Sequence, residues 1–364
     1  MLSGCSSKPA AKAPLKVGVV APMTGPVATF GVSYANGAKL AANELNAKGG
    51  IKGRQIQLVV EDDKIDPTEG VNAVQKLLNQ DKVLAIIGPV GSAVALAVAP
   101  ICQAAGVPMI TGTATTDKLS DSGDFIFRAC FKDSFQGLVM AKFASENLKA
   151  KKAAVLYDLG NDYSKGLAES FRDAFQAAGG QVVAFETYGK DDVDFLAQLT
   201  TIKAAAPDVV FLPDYYNKVG PIAAQARQLG ITVPLLGGDG WDSPDLVTLA
   251  GQAVEGCFFS NHYSADLENP EATAFLANFK KAFGKDPDAL AALAYDSANI
   301  LFAAMAGAAS PDDKAAVRDV MAKTSGFRAV TGVITFDANG DPVKSAVVIT
   351  IENQLQKFVT SVAP

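Results

Sequence analysis

Short apolar runs alternate with amphipathic stretches along most of this chain. The runs predict β-strands at residues 16–21, 55–61, 83–87, 107–111, 124–129, 153–157, 181–186, 208–212, 233–236 and 256–260. Each run is short and continuously apolar, which is typical of parallel strands that are covered on both faces. The stretches between them have a helical period: Leu167, Phe171 and Phe175, for example, fall on one helix face. The pattern therefore predicts an α/β fold made of repeated β-α units.

The last third of the chain departs from this alternation. Helices are predicted at about 270–283, 288–307 and 311–324, and β-rich segments follow around 327–336, 346–351 and 356–361. The first β-α run ends near Arg128 and the second begins near Asp133. We therefore expect two doubly wound lobes with helices on both faces of each sheet. The last third is too small and too mixed to stand alone, so we expect it to serve both lobes.

The loops of the first β-α-β unit, from Lys16 to Pro67, are rich in small and polar residues. A Met-Thr-Gly-Pro loop at 23–26 follows the first strand, and a GGIKG turn precedes the second. Loops at the carboxyl ends of parallel strands gather at one edge of a sheet, where open α/β proteins bind small molecules. The sequence thus predicts a ligand crevice.

Composition narrows the class of protein. The 364 residues are 49% apolar and 19% charged, enough for about two to three domains. The net charge of −6 and the lack of a Lys/Arg block argue against nucleic acid or an anionic membrane as a partner. The sequence contains no run of about 18 or more apolar residues, so no transmembrane helix is predicted.

Cofactor and metal chemistry find little support. The sequence holds no GxGxxG after the first strand, no GxxxxGK[ST], no HExxH and no GxSxG. His262 is the single histidine and is predicted to be structural. With so few soft ligands no metal site is predicted. An enzyme is therefore the weakest of the alternatives, and no cofactor is predicted.

The first residues carry a possible export signal. Leu2-Ser3-Gly4-Cys5 fits the lipobox of bacterial lipoproteins, and the polar SSKPAAKAP segment that follows has the composition of a tether. This predicts lipidation of Cys5 and a flexible tether over residues 1–15; a chance match in a short tail is the alternative. The spacing of the remaining cysteines nominates no disulfide, and we expect them to be buried and single. They are Cys102, Cys130 and Cys257.

Several motifs in a fixed order then carry a family resemblance. VAPMTGPVATFG, ANELNAKGGIKG, EDDKIDP, IIGPVGSAVALAVAPI and VPMITGTATT are followed by PDVVFLPDYY, GGDGW, EGCFFS and ALAYDSANIL. From about Lys16 onward the chain resembles the branched-chain amino acid binding proteins of ATP-driven importers, which are type I periplasmic solute-binding proteins. Where disulfide-bearing members carry cysteines this chain has Ile65 and Gly91, so no equivalent disulfide is expected.

The resemblance implies two flavodoxin-like lobes joined by a hinge of three crossovers, with ligand bound between them. The crossovers fall near 130–133, 260–263 and 342–346. Lobe 1 would comprise residues 16–132 and 263–343, and lobe 2 residues 133–262 and 344–364.

A site for a carboxylate is indicated by two loops. The GPVGS loop at 88–92 follows a buried strand and opens a helix, and backbone N–H groups at a helix N-terminus beside a serine hydroxyl favour an anion. By resemblance Ser92 is a carboxylate ligand; the alternative is that it only caps the helix. The second loop, with Thr113, Ala114 and Thr115, supplies hydroxyls and backbone donors to the same place.

A site for an ammonium group is indicated by Asp239 in the GGDGW loop. A carboxylate facing a closed cleft is costly when unpaired and expects a cation. Thr115 and a backbone carbonyl would complete three acceptors for three N–H donors. The alternative for Asp239 is an Asx-turn in a glycine-rich loop. Asp133 ranks below it, either as a cap of the following helix or as a backbone contact to the ammonium.

Apolar side chains at the ends of predicted strands would form the walls of the cleft, although each could instead belong to the core. Their character favours a ligand with an aliphatic or mixed side chain. The candidates are Phe30, Tyr163, Tyr215, Trp241 and Leu290.

The sequence thus predicts a monomeric, extracytoplasmic, lipid-anchored binding protein. It would capture a small neutral amino acid, most plausibly leucine, isoleucine or valine, and pass it to the permease subunits of an importer. A sensory domain of the same fold is one alternative, and another solute such as an amide, γ-aminobutyrate or an aromatic acid is a second. Fold alone does not separate them.

Overall fold

A computed structural model describes residues 13–266 and 269–364. In the first half of the chain a sheet of five parallel strands has the order β2-β1-β3-β4-β5, which is the flavodoxin-like doubly wound order. Its strands are β1 (Leu15–Ala21), β2 (Ile56–Asp62), β3 (Ile86–Ile87), β4 (Met109–Thr111) and β5 (Ile126–Arg128). The helices of this half are α1 (Ala28–Ala47), α2 (Pro67–Lys76) and α3 (Ser92–Ala104).

The second sheet repeats this order. Its parallel strands are β6 (Lys152–Asp158), β7 (Gln181–Tyr188), β8 (Val209–Phe211), β9 (Leu235–Gly237) and β10 (Phe258–Asn261), arranged β7-β6-β8-β9-β10. The helices are α4 (Asp133–Lys142), α5 (Asp162–Ala177), α6 (Leu196–Ala204), α7 (Tyr216–Gln228) and α8 (Pro244–Ala250). The predicted fold class, two doubly wound α/β lobes, is confirmed.

The last third contributes to both lobes, as the sequence predicts. Its helices are α9 (Pro270–Phe283), α10 (Ala289–Gly307) and α11 (Lys314–Met321), and a small hairpin joins β11 (Phe327–Ala329) to β12 (Gly332–Ile334). The strands β13 (Ala346–Glu352) and β14 (Leu355–Val362) extend the second sheet, with β13 antiparallel to β10.

Helix α10 is the apolar centre of the first lobe. It packs along α1 so closely that a Cβ on Gly37 would lie 2.1 Å from the backbone oxygen of Ala291. By length and composition α10 is the one helix of the described residues that could span a membrane, but 78% of that stretch is buried inside the protein. It is therefore accounted for as a core helix.

The chain passes between the two sheets three times: between β5 and α4, between β10 and α9, and between β12 and β13. A buried ion pair joins the first passage to the third, with Arg128 Nε 2.6 Å from Asp341 Oδ1. These passages lie where the resemblance places the crossovers; the residue limits of the lobes stay a prediction. Cys5 and the tether up to residue 12 lie outside the described residues.

The three described cysteines are buried and free. Burial raises the pKa of the thiols of both Cys102 and Cys130 to about 12. They therefore act as small apolar side chains of the core.

Candidate functional site

A pocket lies between the two lobes, at the carboxyl ends of the strands of both sheets. It encloses about 370 Å³ of empty space, including the part that opens to solvent. The first lobe and α10 supply Phe30, Val90, Thr113, Ala289, Leu290 and Leu293. The second lobe supplies Tyr163, Tyr215, Asp239, Gly240, Asn261 and His262.

Aromatic rings form one wall of the pocket. The rings of Tyr163 and Tyr215 are stacked with centroids 5.1 Å apart and planes within 1°. The ring of Phe30 meets Tyr215 edge-on at 5.8 Å, so this contact crosses from the first lobe to the second. Burial raises the pKa of both tyrosines well above the usual value, which keeps them neutral. Stacked and edge-to-face pairs of this kind favour a rigid apolar wall.

Asp239 is held in place by three neighbouring side chains. Its Oδ1 accepts from Tyr163 Oη at 2.9 Å and from Gln136 Nε2 at 3.1 Å. Its Oδ2 lies 3.1 Å from His262 Nε2. Gln136 Oε1 in turn accepts from the backbone N–H of Asp239 at 2.8 Å and from Ser260 Oγ at 2.9 Å. The carboxylate is thus oriented by contacts to α4, α5 and β10 and still borders the pocket.

His262 follows β10 and is a wall of the pocket. Its ring is fully buried and stacked on Phe131 with centroids 3.6 Å apart. Burial lowers the pKa of His262 to about 4, although the Asp239 carboxylate acts in the opposite direction. The ring is therefore neutral near pH 7, and its Nε2–H donates to Asp239. The histidine that the sequence predicts to be structural thus also borders the cleft.

The threonine loop after β4 faces the same pocket. Thr113 donates its hydroxyl to the backbone oxygen of Val90 at 2.9 Å and its N–H to Thr111 Oγ1 at 3.2 Å. Because both of its protons are used, Thr113 offers only acceptor lone pairs to the pocket. The backbone of Ala114 is also engaged: its N–H donates to Thr111 Oγ1 at 3.0 Å and its oxygen accepts from Arg128 Nη1 at 3.3 Å.

Ser92 lies beside this loop, although it does not line the pocket itself. It is the first residue of α3, and Gly91 occupies the N-cap position. The hydroxyl of Ser92 accepts from the backbone N–H of Thr116 at 3.4 Å instead of capping its own helix. Its own proton remains to be donated.

Trp241 does not line the pocket. Its indole is completely buried in the core, and Nε1 donates to the backbone oxygen of Leu212 at 2.9 Å. The ring covers Gly237 so closely that a Cβ there would lie 2.1 Å away. The large apolar ring and its one donor are both accommodated inside the lobe, which is why it points away from the cleft.

Polar atoms at and behind the pocket are buried without a hydrogen-bond partner in the described part of the chain. Such groups are rare in folded proteins and call for an explanation. They are Thr115 Oγ1, both carboxylate oxygens of Asp133, Asn261 Nδ2 and His262 Nδ1. Asp133 begins α4 but its carboxyl does not cap that helix, which corrects one of its two predicted roles.

Six lining residues are absent from the sequence-based candidates: Val90, Gly240, Asn261, His262, Ala289 and Leu293. Val90 and Gly240 belong to the two loops that were singled out for their neighbours. Asn261 ends the buried strand β10 and His262 follows it, close to the position in a β-α unit that nominated Tyr215 and Asp239. No cluster of three or more potential metal ligands occurs in residues 13–266 and 269–364.

Two doubly wound lobes with a polar and aromatic cleft between them define a two-lobed solute-binding protein. The chain belongs to the periplasmic binding protein family, whose model matches residues 14–354. Membership implies an extracytoplasmic location.

Individual relatives agree with this assignment. A "Leu/Ile/Val-binding protein homolog 3" of Brucella melitensis is 34% identical over 333 residues, which are 91% of this chain and 89% of the relative. The crystal structure of a leucine binding protein, LivK, from Thermotoga maritima is 39% identical with a TM-score of 0.92, covering 96% of this chain and 99% of that one. LivJ from Streptococcus pneumoniae, a branched-chain amino acid transporter substrate-binding protein solved with isoleucine, is 37% identical with a TM-score of 0.91, covering 96% and 100%.

Proposed function

We propose that this protein binds a branched-chain amino acid between its lobes and delivers it to an ATP-driven importer. The observation that carries the proposal is an excess of hydrogen-bond acceptors beside an apolar wall. Asp239 and Thr113 line the pocket with lone pairs to offer, and the unpaired Thr115 hydroxyl belongs to the same loop as Thr113; no lysine or arginine of residues 13–266 and 269–364 lines the pocket. A ligand with an ammonium group and an aliphatic side chain matches both features, and the names of the relatives agree with it.

The ammonium group would bind at Asp239. An ionised carboxylate has about four acceptor positions, and three of them are occupied by Tyr163, Gln136 and His262. The remaining position, the unpaired Thr115 hydroxyl and a lone pair of Thr113 would give one acceptor to each of the three N–H groups.

The carboxylate would bind at Ser92 and the start of α3. The first N–H groups of a helix have no partner within the helix, and the helix dipole favours an anion there. Ser92 still has its hydroxyl proton to donate, because its oxygen already accepts from Thr116. Ala114 adds no donor to this site, since its N–H and its oxygen are engaged inside the protein.

The side chain would lie against Phe30, Tyr163, Tyr215 and Leu290, with Val90 and Leu293 beside them. These groups are apolar on the faces that meet the pocket, so a charged side chain would lose its hydration without a partner. An aliphatic side chain is therefore preferred. Trp241 does not contact the ligand, because it is buried in the core.

Binding would close the two lobes about the three crossovers, with lobe limits at 132/133, 262/263 and 343/344. The ligand stabilises the closed form because it contacts both lobes. The protein acts as a monomer without a cofactor or a covalent step, and the permease subunits are its partner. Lipidation of Cys5 would hold it at the membrane.

The experiment compares leucine with its 2-oxo acid analogue, which lacks the ammonium group. Asp239→Ala should weaken leucine binding about 100-fold or more, because a buried ammonium loses its counter-charge. Binding of the oxo acid should not weaken. Asp173→Ala, which removes an exposed carboxylate of α5, is the matched control. Wild-type affinity for leucine in Asp239→Ala would remove Asp239 from the site and contradict the proposal.

A further inference from the structure

A carboxyl group of the second lobe caps a helix of the first lobe beside the pocket. Asp242 is 2% exposed and directly follows the turn Asp239–Trp241. Its Oδ2 accepts from the backbone N–H of Ala289 at 2.7 Å, and Ala289 is the first residue of α10. Because α10 packs along α1 in the first lobe, this hydrogen bond crosses from one lobe to the other.

The remaining contacts of Asp242 hold it within the second lobe. Its Oδ1 accepts from Gln356 Nε2 of β14 at 2.8 Å, and its backbone N–H donates to the backbone oxygen of Asp239 at 3.0 Å. The loop that carries the proposed partner of the ammonium group therefore also carries the cap of α10. A ligand that fixes Asp239 in position also fixes Asp242.

Helix α10 has a second cap that belongs to its own lobe. Asp288 precedes the helix, and its Oδ1 accepts from the backbone N–H of Ala291 at 2.9 Å and from Ser33 Oγ of α1 at 2.6 Å. The first N–H groups of a helix have no partner inside the helix, and the helix dipole favours carboxylates there. The Ala291 N–H group is thus satisfied within the first lobe, whereas the Ala289 N–H group depends on Asp242.

The first turn of α10 is part of the pocket wall. Ala289 and Leu290 both line the pocket, and Leu290 is one of the side chains proposed to contact the aliphatic part of the ligand. A helix start that loses its cap is less stable. The position of this part of the wall therefore depends on the carboxyl group that accepts from Ala289.

We infer that Asp242 is a positioning residue for ligand binding: when the lobes close, it caps α10 from the opposite lobe and holds the wall at Leu290 against the ligand. The inference rests on the proposed function. In the open form the Ala289 N–H group would lose this acceptor and face solvent, while the Ala291 N–H group would keep Asp288. The cap thus connects the subsite of the ammonium group to the subsite of the aliphatic side chain.

The first test measures hydrogen exchange of the two amides by NMR, on the wild-type protein with and without saturating leucine. The Ala289 amide should exchange about 10-fold or more slowly when leucine is bound, because it is hydrogen-bonded only in the closed form. The Ala291 amide is the internal control, since its acceptor lies in the same lobe. The ratio of the two rates removes any general effect of the ligand on stability. In Asp242→Ala this ratio should not respond to leucine.

The second test is calorimetric titration with leucine. Asp242→Ala should weaken binding about 10-fold or more, because a hydrogen bond between a carboxyl group and a backbone N–H across the cleft is lost. Asp242→Asn should bind within about 3-fold of the wild type, since its side-chain oxygen can still accept from Ala289 and the Gln356 amide can turn over. The matched control is Asp313→Ala, which removes the carboxyl cap of α11 and does not line the pocket. This control should keep the wild-type affinity.

The outcomes separate this inference from the proposed function. An exchange ratio that is the same with and without leucine shows a contact independent of closure and overturns the inference alone. Wild-type affinity in Asp242→Ala, or an affinity of Asp242→Asn as low as that of Asp242→Ala, also overturns it. If no amino acid binds to the wild type, the proposed function fails and the inference fails with it. Should thermal unfolding show that Asp242→Ala is not folded, the exchange ratio of the wild type decides.

Discussion

A neutral histidine inside the cleft holds Asp239 in position, and this arrangement has a consequence for acid stability. Burial lowers the pKa of His262 to about 4, whereas a histidine in an unfolded chain titrates near about 6.5. As the pH falls below 6.5, the unfolded chain therefore binds a proton that the folded protein does not bind. The contribution of His262 to stability is complete above pH 6.5 and is lost between pH 6.5 and 4, by about 3 kcal/mol in total.

We expect His262→Gln to flatten that part of the pH profile. The free energy of unfolding of the variant, measured by denaturant titration without ligand, should fall less than that of the wild type between pH 6.5 and 4. The comparison uses the difference between the two proteins, because buried carboxyls such as Asp214 and Asp288 change stability in the opposite direction over this range. Parallel profiles would show that His262 is not held neutral by the fold.

The variant Tyr215→Ala separates the contribution of the apolar wall from that of the polar groups that bind the α-amino and α-carboxyl groups of the ligand. The ring of Tyr215 contacts Tyr163 face to face and Phe30 edge-on. Tyr215→Ala therefore removes part of the apolar wall and leaves Asp239 unchanged. We expect the ratios of the affinities for leucine, isoleucine, valine and phenylalanine to change by about 10-fold, since one methylene in an apolar pocket is worth ~1–3 kcal/mol. The need for both α-amino and α-carboxyl groups should persist in calorimetric titrations. If the variant binds the 2-oxo acid as well as leucine, the assignment of wall and anchor is wrong.

Single residues show where sequence reasoning succeeds and where it ends. The rule that residues following a buried strand border the cleft correctly places Thr113, Tyr215 and Asp239 at the pocket. It says nothing about the direction of a side chain, so it also nominates Trp241, whose ring turns into the core over Gly237. His262 follows the same rule after β10, but the sequence suggests only a structural role for it because a lone histidine carries no motif.

At the scale of elements, the starts of three helices meet across the cleft. Thr29 in the first turn of α1 donates its hydroxyl to Asp245 Oδ2 of α8 at 2.7 Å. Because that proton is used, the hydroxyl of Tyr216 at the start of α7 is the donor in its own 2.7 Å contact with Thr29 Oγ1. These hydrogen bonds join the first lobe to the second without touching the proposed ligand, so they favour the closed form.

We expect Thr29→Val to weaken the binding of every ligand by the same factor, about 30-fold, because two hydrogen bonds of ~1 kcal/mol each are lost. The order of affinities should not change, because the pocket is intact. Calorimetry gives the affinities, and small-angle scattering without ligand should show a more open shape. Thr200→Val is the matched control, since its hydroxyl bonds only to Leu196 within α6. A change in ligand preference in Thr29→Val would contradict this role.

The elements themselves are largely predictable, but their ends are not. The apolar runs at 83–87 and 107–111 correctly predict β3 and β4. Only Ile86–Ile87 and Met109–Thr111, however, are paired as strands. Val83 and Val107 are buried ahead of the paired segments, and hydrophobicity reports burial, not backbone pairing. The same limit applies to α10, whose composition fits a membrane span although its position is the core of the first lobe.

For the whole molecule, two sheets of the same strand order face each other across one cleft. The polar side chains that line it come from both lobes, with Thr113 on one side and Asp239 and Asn261 on the other. A small amino acid that contacts both sides shifts the population toward the closed form by the free energy of those contacts. The last third belongs to both lobes, because α10 packs on α1 and β13 pairs with β10.

The most direct test of this account is calorimetric titration of all common amino acids, γ-aminobutyrate and small amides into protein that has been unfolded and refolded to remove any carried ligand. We expect saturable one-to-one binding of leucine, isoleucine or valine with a dissociation constant of about 1 μM, or about −8 kcal/mol. Correctly refolded protein that binds none of these three, or that is saturated by γ-aminobutyrate or an amide in their place, would contradict it.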